Sequence, residues 1–172
     1  GLDSSELGHP PSKFAKVFAL ASDMGLKRVA HAGEEGPPAY VQEAIELLGV
    51  DRIDHGNRSL EDPDLVKNLV MNNTPLTVCP QSNLRLAVIE EMHHHPIREM
   101  LAAGLKASVH SDDPAYFGGY INENYHALID AVGLEREEIL QLVRNGFKAA
   151  FLPAAEIEQH LRRVDAVAGE MQ

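Results

Sequence analysis

The 172-residue chain, 44% hydrophobic and 24% charged, is long enough to bury one core, and its 15 basic against 26 acidic residues leave a net charge of −11 that repels phosphate backbones and anionic lipid. This excludes nucleic acid as a partner class, and no apolar run approaches the ~20 residues of a membrane span or follows a charged leader. The single cysteine, Cys79, forbids an internal disulfide and fits a cytoplasmic setting, while a start at Gly1 without methionine reads as a piece of something longer.

A short tail at Gly1, Leu2 and Asp3 reads as the end of a strand. The first helix is expected from Ser12, a possible N-cap, with Phe14, Val17, Phe18 and Ala21 on one face, and it stops at Gly25. A strand pattern over 28–31 follows. The second helix starts at Pro38, where a missing N–H is harmless, repeats Val41, Ala44, Ile45 and Leu48 at helical spacing, and ends at Gly49. Ile53, Asp54 and His55 read as the next strand. Asp62 and Pro63 cap and open a third helix closed by Asn72 and Asn73, ahead of a strand over 75–79. A fourth helix over 96–103 ends at Gly104, a strand pattern covers 105–110, and helices over about 135–151 and 154–168 finish the chain.

Strands and helices that alternate through short loops imply parallel strands joined by right-handed crossovers, an α/β fold. The closed form of that pattern, the TIM (β/α)8 barrel, takes about 250 residues. Four complete strand patterns therefore predict half a barrel, one partial domain over 1–172. An open doubly wound sheet is the alternative, but no strand is followed by a Gly-x-Gly-x-x-Gly or Gly-Lys-Ser/Thr loop.

Each strand pattern ends in polar residues: His31 with Glu34, then Asp54 and His55, then Cys79 with Gln81 and Asn83, then His110 with Asp112 and Asp113. Parallel strands present those ends at one edge, so distant side chains converge. His31, Gly33 and Glu34 suit a metal site, or a hydrogen-bonded turn. Asp112 and Asp113 are two adjacent carboxylates, more easily held if a cation takes one, though Ser, Asp and Pro also make turns. His55 is a site histidine or a satisfied core residue. Cys79 reads as a small buried apolar group. The run His93, His94 and His95 reads as a solvated loop before a helix, and His9, His126 and His160 have no supporting neighbours in sequence. A histidine, a carboxylate, a second histidine and a glutamate free of ligand duty are the ingredients of a zinc hydrolase.

In this order, His31-Ala32-Gly33-Glu34, Asp54-His55-Gly56, Cys79-Pro80-Gln81-Ser82-Asn83 and Ser111-Asp112-Asp113-Pro114 resemble the carboxyl-terminal half of the adenosine/adenine deaminase family of zinc-dependent barrels. The resemblance implies that His31 and Asp112 ligate zinc and that Glu34 shuttles protons to the purine. It further implies that His55 orients the attacking water and Asp113 hydrogen-bonds the purine at N7. The family's His-x-His pair on a first strand is missing, so the chain alone holds two of the three protein ligands usual for catalytic zinc and is expected to be inactive, short of a missing amino-terminal half or a homo-oligomeric partner.

The stretch 111–120 and the opening 1–6 resemble the adenine deaminase branch. Glu6 is a candidate for hydrogen bonding the N3/N9 edge of free adenine where adenosine carries ribose, or else caps a loop. Adenosine deamination, an N6-substituted adenine and a non-catalytic half-barrel that binds its complement stay open. A cytidine-deaminase-type site fails because its paired cysteines need a second cysteine.

Overall fold

The computed structural model describes residues 1–170. Four parallel strands, β1 (Val29–Ala32), β2 (Arg52–His55), β3 (Pro75–Val78) and β4 (Lys106–Val109), stand side by side in chain order. The register pairs His31 with Asp54 and Thr77 with Ser108. Leu2 bridges Ala30 in parallel, its amide donating to Val29 O and its carbonyl accepting from His31 N, so the expected strand tail at the start of the chain lies on the free side of β1. This is half of a (β/α)8 barrel, as the alternation predicts.

The helices α1 (Ala15–Asp23), α2 (Pro38–Glu43), α3 (Pro63–Met71) and α5 (Ile97–Ala102) sit where periodicity places them. Asp62 caps α3, its carboxylate accepting from Asp64 N and Leu65 N at 2.9 and 3.2 Å. At α1 the start differs from the expected Ser12 cap. A 3-10 turn, Pro11–Phe14, precedes the helix, and the Ser12 amide donates to Glu43 Oε2. The last turn of α2 widens into a π-helix over Ala44–Leu48 before Gly49 closes it at φ +58°.

Three helices lie outside the sequence expectation: α4 (Pro80–Arg85), α6 (Pro114–Phe117) and α7 (Ile121–Val132). In α7 a polar residue, Asn124, takes a fully buried position alongside Leu128, which breaks the apolar periodicity. Asn124 Oδ1 accepts from Gln81 N at 3.0 Å and so ties α7 to the start of α4. Helices α8 (Arg136–Ala149), opened by a Glu135–Glu138 capping box, and α9 (Ala154–Glu170) complete the chain.

The core, which includes Ala30, Ile53, Leu76, Ala107, Leu48, Leu69, Met100 and Leu142, lies between sheet and helices. The opposite sheet face is polar and carries His31, Arg52, Asp54, Thr77 and Ser108. Among the described residues no helix is long and apolar enough to cross a membrane.

Candidate active site

The polar face and the carboxyl ends of the strands meet at one edge. There His31, Asp54, His55, Cys79 and Asp112 line a cavity of about 430 Å³. His31, Glu34, Asp112 and Asp113 line a second of about 620 Å³. His31 and Asp112, from opposite edges of the sheet, border both.

Backbone geometry brings His55 to this edge. Strand alternation alone would leave it on the face of Ile53, against the helices. Instead His55 adopts φ +67°, and its ring lies edge-on to that of His31, with centroids 4.5 Å apart. Gly56 continues at φ +78°, where a Cβ would sit 2.9 Å from Leu76 Cδ2. Asp112 has φ +55°. Left-handed non-glycine residues cost on the order of 1–3 kcal/mol each and persist where the surroundings hold them. Ser4, Asn73 and Ala87 share this backbone state, and at this edge it redirects the side chains of His55 and Asp112.

Glu34 is buried at the head of the turn after β1 and is held from several sides. Its Oε1 accepts from Asn83 Nδ2 at 2.7 Å and from Ser82 Oγ at 3.4 Å, both buried in α4. His55 Nδ1 lies 3.2 Å from the same oxygen, outside hydrogen-bonding geometry. Burial and the Asp112 charge push the Glu34 carboxyl up to about 7, against the opposing pull of His31 and Asn83. Burial, reinforced by His31, pushes His55 down to about 3. Near neutral pH the edge thus holds a glutamate able to gain or lose a proton beside an imidazole that stays neutral.

His31 Nδ1 lies 3.5 Å from Asp54 Oδ2, and Asp54 Oδ1 accepts from Thr77 Oγ1 at 2.8 Å. Burial lowers the His31 pKa, but the Asp54, Glu34 and Asp112 carboxylates outweigh it and raise it. A carboxylate behind an imidazole is the usual support of a metal-bound histidine. Ligand atoms of His55, Cys79 and Asp112 also lie within 4.8 Å of one another. Burial and the Asp112, Glu34 and Asp54 charges push the Cys79 thiol far above its ordinary value, so it stays protonated, a small buried group as expected. The donors left at the edge, imidazole and carboxylate, suit a divalent ion such as zinc.

Glu6 is buried, and its carboxylate accepts from Gly33 N at 2.7 Å, Glu34 N at 2.8 Å and Glu35 N at 3.3 Å. It fixes the turn that carries Glu34, and it also borders a cavity of about 210 Å³ beside His31. Asp113 is exposed at the head of α6, its carbonyl accepting from Tyr116 N and Phe117 N. Both lie near the edge, Glu6 with its oxygens engaged and Asp113 open.

Sequence reasoning missed His95. His93 and His94 are exposed, as a solvated loop requires, but His95 is 3% exposed. Its Nδ1 accepts from Ile97 N, and its Nε2 lies 3.2 Å from Asn83 Oδ1, which also accepts from Asn57 Nδ2 at 2.6 Å. The only local signal was that His95, alone of the three, precedes a proline and a helix.

Residues 1–167 match the family model described as adenosine deaminase. An adenine deaminase of Sphingopyxis alaskensis is 60% identical over 168 residues, 98% of this chain and 49% of that protein. The crystal structure of an adenine deaminase from Arthrobacter aurescens superposes with a TM-score of 0.96 at 46% identity, over 98% of this chain and 52% of that one. An amidohydrolase from Burkholderia ambifaria, crystallised with bound zinc, gives a TM-score of 0.88 at 27% identity, over 98% of this chain and 48% of that one. The chain spans about half the length of the curated relatives it matches.

Proposed function

The chain belongs to the adenosine deaminase family, and from that premise we propose that it supplies the proton-transferring glutamate, the water-orienting histidine and two zinc ligands of an adenine deaminase, which converts adenine and water to hypoxanthine and ammonia in cytoplasmic purine salvage. The observation that carries this reading is the convergence of Glu34 and His55, 3.2 Å apart, at a strand edge shared with His31 and Asp112. Relatives named adenine deaminase support the choice of base.

His31 and Asp112 would hold the zinc, with further ligands from outside this chain. Bound there, zinc supplies Lewis-acid activation of water near neutral pH. Glu34 takes the proton that the attacking water releases and delivers it to ring N1 as oxygen adds to C6, while neutral His55 holds the water in place. The C6–N bond then breaks as the proton of the added hydroxyl passes to the amino group, which leaves as ammonia while the C6 carbonyl forms. Asp113, open at the rim, would hydrogen-bond the purine at N7. Glu6 keeps one of about four carboxylate lone-pair positions beyond its three amide bonds, available to the N3/N9 edge of the base. A carboxylate there leaves no room for ribose and favours adenine over adenosine.

With two zinc ligands the chain alone is inactive in this reading, and activity needs the complementary half of the barrel or a partner copy. The test is to join the chain to the complementary half of the Sphingopyxis alaskensis protein and compare turnover of adenine and adenosine. Turnover of adenosine over adenine would overturn the assignment of substrate.

A further inference from the structure

The two oxygens of Glu34 are not equivalent. Oε1 accepts from Asn83 Nδ2 and Ser82 Oγ, while Oε2 makes no hydrogen bond among the described residues. The asymmetry traces back through Asn83. Its Oδ1 receives Asn57 Nδ2 at 2.6 Å, and His95 Nε2 stands 3.2 Å away. The Ile97 amide donates to His95 Nδ1, so this nitrogen is the acceptor and a neutral His95 carries its hydrogen on Nε2. A flipped Asn83 would set its own N–H groups against the fixed His95 Nε2–H, whereas Asn57, whose Oδ1 has no partner among the described residues, can turn its amide to follow. The amide therefore has one tolerable orientation, the one that points Nδ2 at Glu34.

We propose that His95, which lines neither site cavity, is a positioning residue that acts through Asn83 to make Glu34 Oε1 the acceptor and to leave Oε2 as the oxygen that carries the proton to the purine. The inference rests on the adenine deaminase reading above. An acid whose proton sits on the wrong oxygen must rotate or transfer it before reaction, a misplacement of the kind that costs about 100-fold in rate. Asn57, Asn83 and His95 are each at most 5% exposed, so no solvent competes for these bonds.

The test uses the chain joined to the complementary half of the Sphingopyxis alaskensis adenine deaminase, with zinc content measured for every variant. His95→Phe keeps the bulk and removes the donor, and His95→Gln restores an amide N–H. Asn83→Asp is nearly the same shape but presents oxygen to Glu34, drawing the proton onto Oε1. The expected result is a fall in kcat of about 100-fold for His95→Phe and Asn83→Asp, with KM for adenine and zinc content held within about 3-fold, and recovery to within about 10-fold of the parent for His95→Gln. If His95→Phe fails to fold, Asn83→Asp carries the same comparison. An active parent whose two donor-removing variants keep their kcat, or lose rate only in step with zinc, overturns the positioning role alone. A zinc-loaded parent that leaves adenine untouched overturns the function beneath it as well.

Discussion

His55 Nδ1 lies 3.2 Å from Glu34 Oε1, an imidazole kept neutral by burial beside a carboxyl that burial keeps ready to hold a proton. One environment moves the two groups in opposite directions, because low dielectric penalises whichever form is charged.

Glu34→Gln removes the proton donor while preserving shape and the bond accepted from Asn83. In the joined enzyme, kcat on adenine should fall by about 10²–10⁴-fold with zinc content unchanged, measured by ammonia release alongside metal analysis. Retention of more than about a tenth of the parent rate would remove Glu34 from the proton path.

Glu6→Gln offers one carbonyl oxygen where three amides now find two carboxylate oxygens. At least one buried N–H loses its partner, and the loss should be about 1–3 kcal/mol of stability in a denaturant titration. If Glu6 also reads the purine edge, the joined variant narrows its preference for adenine over adenosine. A stability loss with unchanged preference would confine Glu6 to holding the turn.

The buried, neutral His95 gives stability a pH dependence of known sign. Its pKa is pushed down to about 4, from an ordinary 6.5 that the unfolded chain retains. Below pH 6.5 the unfolded state takes up a proton that the folded state refuses. The contribution of His95 is therefore complete above pH 6.5 and declines as pH falls toward 4, by roughly 3 kcal/mol over that window. Denaturant titrations at pH 7.5, 5.5 and 4 should show the gap between the chain and His95→Phe shrinking with acid. A gap independent of pH would mean that His95 is charged or solvated.

Two ligands make a weak zinc site. The 172-residue chain by itself should bind zinc weakly or substoichiometrically in equilibrium dialysis, and His31→Ala or Asp112→Ala should abolish what remains. Tight one-to-one binding by the chain alone would contradict a site shared with residues elsewhere.

Much of this architecture is legible in the sequence because the elements that build the sheet obey simple periods. Val41, Ala44 and Leu48 announce α2, and Asp62 announces the start of α3. The residues at the ends of the strands are also legible, since parallel strands send them to one edge. What escaped are elements organised by buried polar groups. Asn124 occupies a core position in α7, and Ser82 and Asn83 face inward from α4. Their burial is stabilised by partners far away in the chain, Gln81 and Glu34, which no local pattern reveals. His95 escaped for the same reason, its partner being an amide that is itself satisfied only in the folded state. The left-handed backbone of His55 and Asp112 is a tertiary effect as well, since neither residue type prescribes it.

Ammonia release from adenine by the chain joined to the complementary half of its Sphingopyxis alaskensis relative, loaded with zinc, decides whether His31 and Asp112 hold a deaminating site. The zinc-site assignment requires steady turnover of adenine to hypoxanthine that disappears in His31→Ala and in Asp112→Ala together with the metal. A folded, zinc-loaded protein that leaves adenine intact, or one that keeps both zinc and turnover without those two side chains, would contradict it.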